Sequence, residues 1–171
     1  MEVWHGYFEL ALDRGGKILI GAGALEAMAS QFVPDKETGG IILGRIRSED
    51  SAPMIVKCLP APLDSRSTRW TFERGFQGLA ETLQAEFEAG YSYLGEWHTH
   101  PGAGCRPSVV DLTTMSSIAK SKAYLPERPL MIIVGGVQGR NRVVVYRYRK
   151  LFRPSRTDEF VIPDVLALIG A

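Results

Sequence analysis

Residues 95–111 read GEWHTHPGAGCRPSVVD, and the order of elements across this stretch decides what kind of fold the chain can build. Its first six residues complete the segment YSYLGEWHTH (91–100), which reads as a strand. Pro101 cannot donate to a sheet ladder, so the strand ends there. A Gly/Pro-rich loop, 101–107, leads to Ser108 and a short helix that runs to about Lys120. Ser108 and Asp111 stand at capping-box spacing in the broad sense, so the hydroxyl can satisfy an orphan amide at the helix start.

The same alternation continues outward from this stretch. Upstream, Gly15-Gly16 is a turn and KILI (17–20) a short strand. Leu25, Met28, Ala29 and Phe32 then recur at helical spacing, in a helix ended before Pro34 whose apolar stripe is expected to face the core. GGIILGRIR (39–47) and PMIVKCL (53–59) are strands, the second closed by the turn-rich PAPLDS. Phe76, Leu79, Ala80, Leu83 and Phe87 predict a helix over 75–89, stopped by Gly90. Downstream, RPLMIIVGG (128–136) and RVVVYRYR (142–149) are strands joined by a turn at Gln138–Asn141. The tail RTDEFVIP suits an edge strand, and Val165–Ile169 a last helical turn. There are no repeats, low-complexity segments or linkers. The expected class is α/β in the α+β sense: a mixed sheet with helices packed on it, in one domain over 1–171.

Composition narrows the partners. Of the 171 residues, 45% are hydrophobic and 23% charged, which suits a single core. Twenty Lys+Arg against nineteen Asp+Glu leave a net charge of +1, so no global argument favours nucleic acid or an anionic membrane. Two cysteines, Cys58 and Cys105, are too few for a disulfide scaffold and include no CxxC pair, so a reducing, cytoplasmic setting is expected. The opening MEVWHGYFEL lacks the layout of a signal peptide, and the longest apolar run, Leu130–Val134, is far too short to span a bilayer. A soluble protein is expected.

The chemistry lies in the histidines. On a strand, residues i and i+2 share a face about 6.5–7 Å apart, so His98 and His100 project together, with Trp97 and Thr99 opposite. Two such imidazoles can converge on one Zn²⁺, and Asp111 on the first helical turn is a plausible third ligand. Three protein ligands leave one position for water, the pattern of catalytic zinc. Blander readings stay open here. An HxH pair can be surface decoration, Asp111 can serve only the cap, and isolated His5 reads as structural or solvent-exposed. Glu96, on the histidines' face, could orient an imidazole or join a cross-strand ion pair. Trp97 is expected to pack on a helix. Cys105, in the intervening loop, could reach a zinc ion or have no purpose at all.

Jointly, HTHP (98–101), a six-residue loop and SVVD (108–111), preceded by a glutamate in KETGGIILG (36–44), resemble the JAMM (MPN+, JAB-domain) zinc metalloprotease family. The form GEWHTHP is similar to stand-alone bacterial members. The resemblance implies a cytidine-deaminase-like JAB/MPN fold with a curved, mixed sheet flanked by helices. It implies one zinc ion per chain held by His98, His100 and Asp111. It makes Glu37 the general base and Ser108 the hydroxyl that supports the tetrahedral intermediate. Gly39 and Gly40 would let backbone approach the site. Without the resemblance, Glu37 would read as a solvated loop carboxylate.

The activity so implied is hydrolysis of an amide or isopeptide bond after the C-terminal tail of a ubiquitin-like protein, in deconjugation or precursor processing. Bacterial members are found beside ubiquitin-like transfer machinery, including antiphage defence operons, or process sulfur-carrier proteins. An exposed strand edge could hold an extended tail by adding a strand. LDSRSTRWTFERG (63–75) is a candidate for that groove, with Trp70 and Phe72 alternating with polar residues and Arg66, Arg69 and Arg74 able to meet acidic groups. It also reads as an ordinary amphipathic strand. Two other classes compete. A metal-free scaffold is disfavoured because all five catalytic positions are intact. Nucleic-acid binding is suggested by seven Lys/Arg between Arg140 and Arg156, a run that also reads as a solvated strand face. A zinc deaminase lacks its HxE…PCxxC signature.

Overall fold

The computed structural model describes residues 2–4, 6–121, 128–149 and 152–167, so His5 lies outside the described residues. The chain opens with β1 (Glu2–Trp4), β2 (Tyr7–Ala11), β3 (Lys17–Gly21) and α1 (Ala22–Ser30), followed by β4 (Gly39–Ile46) and β5 (Pro53–Pro60). A small hairpin of β6 (Arg66–Ser67) and β7 (Phe72–Glu73) precedes α2 (Leu79–Glu88), β8 (Ser92–Pro101) and α3 (Val109–Lys120). β9 (Leu130–Val137), β10 (Arg140–Arg149), β11 (Phe152–Arg156), β12 (Phe160–Val161) and α4 (Ile162–Ala167) complete it.

Ten strands form one sheet in the order β1-β2-β3-β5-β4-β8-β9-β10-β11, with β12 also on β10. The β3–β5 and β8–β9 pairs are parallel and the others antiparallel, so the sheet is mixed, as expected. It is also curled. The turn after β2 meets β11 from the far end of the strand order, where Asp13 donates its amide to the Arg156 carbonyl and Asp13 Oδ1 accepts the Arg156 amide, both at 2.9 Å.

The central strands are apolar on both faces because both faces are covered. Leu130, Ile132, Val134, Val143 and Val145 turn into a core shared with Phe8, Trp97 and the α1 residues Leu25 and Met28. Met131, Ile133, Val144, Tyr146 and Tyr148 turn the other way, against Met115, Ile118 and Ala119 of α3. α1 has no side-chain N-cap and no acidic first turn. The missing cap forgoes about 1 kcal/mol, whereas burying Leu25 and Met28 completely contributes about 1.5–3 kcal/mol each. Docking outweighs the missing cap.

Several elements differ from the sequence expectations. The chain builds β1 and β2 ahead of Lys17, where no strand was read; Phe8 and Leu10 alternate into the core from β2. The helix expected over 75–89 starts only at Leu79. Asp64 takes the amides of Phe76 and Gln77 at 3.0 and 3.1 Å, and Gly78 at φ 69° turns the backbone out of the helical region. Phe76 is left outside the helix, and both it and Phe87 are exposed. The stretch 63–75 is not one amphipathic strand, because Thr68 and Thr71 pinch it into the β6–β7 hairpin. The turn after β9 tightens to the two residues Gln138-Gly139, with Gly139 at φ 79°. The terminal helix begins at Ile162, and residues 168–171 lie outside the described ones.

Candidate active site

The site forms where β4, β8 and the start of α3 meet. His98 and His100 share one face of β8, while Trp97 and Thr99 are fully buried on the other. Trp97 packs in the α1 core as expected, and its indole N–H donates to the Leu59 carbonyl at 3.0 Å. β4 runs antiparallel to β8 with Gly39 opposite His98. One residue further back, Thr38 and Thr99 exchange hydrogen bonds: the Thr99 amide to the Thr38 carbonyl at 2.7 Å and the Thr38 amide to Thr99 Oγ1 at 2.8 Å. Alternation then turns Glu37 to the histidine face. Gly39 leaves the space beside His98 open; a Cβ there would meet the Trp97 carbonyl at 2.5 Å and the Phe72 ring at 2.6 Å.

Asp111 arrives through its capping box. Ser108 Oγ accepts the Asp111 amide at 3.2 Å, and Asp111 Oδ2 accepts the Ser108 amide at 2.7 Å. The same carboxylate faces both imidazoles, with Oδ1 3.3 Å from His98 Nε2 and Oδ2 3.6 Å from His100 Nε2. The two Nε2 atoms are 3.0 Å apart. Glu37 Oε1 lies 3.9 Å from His100 Nε2, and Glu37 is only 8% exposed. Ser108 stays exposed at the edge of the cluster.

The three donor groups fit a divalent metal. Four-coordinate zinc with ligands at about 2.0–2.1 Å has ligand–ligand edges of about 3.3 Å, and the spacings of 3.0, 3.3 and 3.6 Å bracket that value. His100 Nδ1 lies 3.3 Å from the Gly104 carbonyl. A proton donated there leaves Nε2 as a lone pair facing the cluster, the usual device for orienting a ligating histidine. His98, His100 and Asp111 are compatible with a metal site.

Titration follows from this crowding. Burial is the main force raising the Glu37 pKa; His100 and His98 pull it down, Asp111 pushes it up, and the net shift is upward. For His100, burial disfavours the charged form, but the hydrogen bond to Asp111 and the Glu37 charge outweigh it and raise the pKa. Burial alone would raise the Asp111 pKa as well. The hydrogen bonds from His100 and His98 reverse this and hold its carboxyl well below the ordinary range.

The neighbouring residues sort themselves out. Glu96 sits on the histidines' face as expected, and its carboxylate is claimed by Arg74 Nε at 2.8 Å and the Tyr93 hydroxyl at 2.7 Å. Arg74 is thereby engaged rather than free for an acidic ligand. Arg69 packs over the Trp70 ring. Cys105 does not face the cluster: its Sγ donates to the Arg142 carbonyl at 3.2 Å within the α3 core, and burial pushes its pKa up to about 11. Two features carried little sequence signal. The carbonyl of Gly104 is invisible in any side-chain pattern. A groove of about 470 Å³ opens beside His98 and Asp111, between Phe72 and Phe76 on one bank and Val110, Met115 and Ile118 on the other. The segment 63–75, read from the sequence as a candidate for a substrate groove, supplies one bank through Phe72, whereas the α3 bank had no sequence signal.

Fold and site put the chain in the hydrolase class of JAB-domain proteins. The family described as prokaryotic homologs of the JAB domain matches residues 24–148, and the chain belongs to it. A CD-NTase/cGAS isopeptidase of Enterobacter hormaechei is 41% identical over 121 residues, covering 70% of this chain and 67% of that protein. A probable metalloprotease of Sinorhizobium fredii is 31% identical over 110 residues, covering 60% and 64%. The chain thus spans about two thirds of the length of these relatives. Among solved structures, a protein of Desulfitobacterium hafniense shares the fold with a TM-score of 0.57 at 19% identity, covering 82% of this chain and 88% of that one. No described helix is long and apolar enough to cross a membrane.

Proposed function

We propose that the chain is a zinc-dependent isopeptidase that hydrolyses the amide bond following the C-terminal tail of a ubiquitin-like protein. The observation that carries this is the convergence of Glu37 with His98, His100 and Asp111, brought from the β4 entry, β8 and α3. His98 Nε2, His100 Nε2 and the Asp111 carboxylate would hold the ion. Bound there, zinc supplies Lewis-acid chemistry, acidifying water and polarising a carbonyl. Glu37 takes the proton that water gives up as its oxygen attacks the scissile carbon. It returns that proton to the amine nitrogen as the C–N bond breaks. Burial strengthens Glu37 for the first of these steps. Ser108 spends an Oγ lone pair on the Asp111 amide and keeps its hydroxyl proton to donate where carbonyl charge develops.

The groove between Phe72 and α3 suits an extended tail entering beside His98. The named isopeptidase relative favours a conjugate in a CD-NTase system as the substrate, in a bacterial defence setting, over a sulfur-carrier adduct. Two free, buried cysteines are in keeping with a reducing cytoplasm. Nucleic-acid binding gains no support from the basic run: Arg142 pairs with Glu159 at 3.1 Å, and Arg147 is half-buried. The test is to incubate the zinc-loaded protein with ubiquitin-like and CD-NTase fusions from its genomic neighbourhood. Cleavage after the tail should vanish with Glu37→Gln or a chelator and return when zinc is restored. Cleavage indifferent to both would overturn the mechanism.

A further inference from the structure

Among the described residues, no hydrogen bond to its carboxylate fixes Glu37, which has only the 3.9 Å approach to His100. Its place is therefore set by backbone. Thr38 is pinned to Thr99 on one side, and the Glu37 amide donates to the Thr68 carbonyl at 2.8 Å on the other. Thr68 lies in the strap 62–78, which contains the β6–β7 hairpin and forms one bank of the groove. The strap is internally braced. Asp64 accepts the Phe76 and Gln77 amides, Ser65 Oγ accepts the Gly75 amide at 2.8 Å, and the Thr68 amide donates to the Thr71 carbonyl at 2.9 Å.

At its far end the strap is fastened to β8. Arg74 Nε donates to Glu96 Oε2 at 2.8 Å, with both side chains largely buried, and Tyr93 supplies the other carboxylate oxygen with a hydroxyl proton at 2.7 Å. Glu96 is two residues ahead of His98, on the same face. The strap thus joins the strand that carries the two histidines to the backbone that carries the carboxylate opposite them. A buried ion pair of this kind contributes little net stability over an apolar pair of similar volume, so its value lies in the geometry it specifies.

We infer that Arg74, acting through Glu96, is a positioning residue for Glu37: the pair tethers the strap to β8 so that the Thr68 carbonyl holds the Glu37 backbone in register with His100. The inference rests on Glu37 serving as the base, as proposed above. Single removal of Arg74 leaves a buried carboxylate and endangers folding, so the main variant is the double substitution Arg74→Met/Glu96→Gln, with Arg74→Lys beside it. Amide hydrogen exchange, melting temperature, zinc content and steady-state kinetics on a cleavable fusion are measured for each.

In the double variant the Glu37 amide should exchange about tenfold faster or more, while amides of the β8–β9 ladder keep their protection. kcat should fall about tenfold to a hundredfold with zinc content unchanged, and Arg74→Lys should recover most of both effects. Unaltered exchange at Glu37, or an unaltered kcat despite faster exchange, overturns the inference. So does a loss of protection spread evenly over the whole sheet. A wild-type protein inactive on every conjugate sinks the proposed function alone, and exchange at Glu37 still decides for or against the tether.

Discussion

In the mechanism proposed above Ser108 carries two tasks, which a short substitution series separates. Its Oγ accepts the Asp111 amide at 3.2 Å, which is the helix cap, and its hydroxyl proton is proposed to meet the substrate carbonyl. Ser108→Ala removes both. Loss of an N-cap oxygen costs about 1 kcal/mol, within a range of about 0.5–2, and in a chain of this size that lowers Tm by about 2–4 °C. Loss of one oxyanion donor lowers kcat about 10²–10³-fold, or about 2.7–4 kcal/mol of barrier. Ser108→Gly lacks the hydroxyl too, yet glycine at an N-cap costs only a few tenths of a kcal/mol. It should match Ser108→Ala in kcat and the wild type in stability, and Ser108→Thr should restore both. The Ser108 amide still reaches Asp111 Oδ2 in every variant, so zinc content should not change. Urea midpoints and kcat on a ubiquitin-like fusion are the two readouts. If Ser108→Gly retains wild-type kcat, or if kcat tracks stability across the series, the hydroxyl has no role in the chemistry and Ser108 is only a cap.

Zinc at 100 times its Kd should stabilise the apoprotein by about 2.7 kcal/mol, a Tm rise of about 5–11 °C. Asp111→Asn should abolish that rise in a thermal-shift titration, and an undiminished rise would remove Asp111 from the metal site. Gly95→Ala would drive a Cβ to 1.9 Å from the Leu130 carbonyl, and Gly40→Ala one to 1.9 Å from that of Leu59. Each should cost about 3 kcal/mol or more in urea unfolding, because the obstacle is neighbouring backbone that cannot rotate away. A thiol reagent at pH 8 should leave the native protein almost unmodified, since burial raises the pKa of both Cys58 and Cys105. Both thiols should react once the chain is unfolded, and rapid native labelling of Cys105 would contradict its placement against the Arg142 carbonyl.

Much of the site was legible because its spacing rules are local. The alternation of a strand puts His98 and His100 on one face whatever the rest of the chain does, and a helix start puts Asp111 three residues past Ser108. The same locality failed over 63–78. The Phe76–Phe87 periodicity is helical from end to end, yet Asp64, twelve residues before Phe76, captures the amides that a helix would need. A side chain so far upstream leaves no mark on a local pattern. Arg74 looked available for an acidic ligand because its buried partner, Glu96, is twenty-two residues away. Cys105 looked close to a metal by position alone, and the direction of its thiol depends on β10.

By itself, the amino-acid sequence carried the motif on which the family resemblance rests, and it determined the paired imidazoles and the capped aspartate, which follow from dihedral periods acting within a few residues. Glu37 was assigned to the site only through the family resemblance, and it is the tertiary structure that turns it towards His100. That meeting depends on the β4–β8 register, with Gly39 opposite His98, and on a strap whose ties span many residues. Register across strands is set by which faces the whole sheet buries, and no short segment of the chain contains that information.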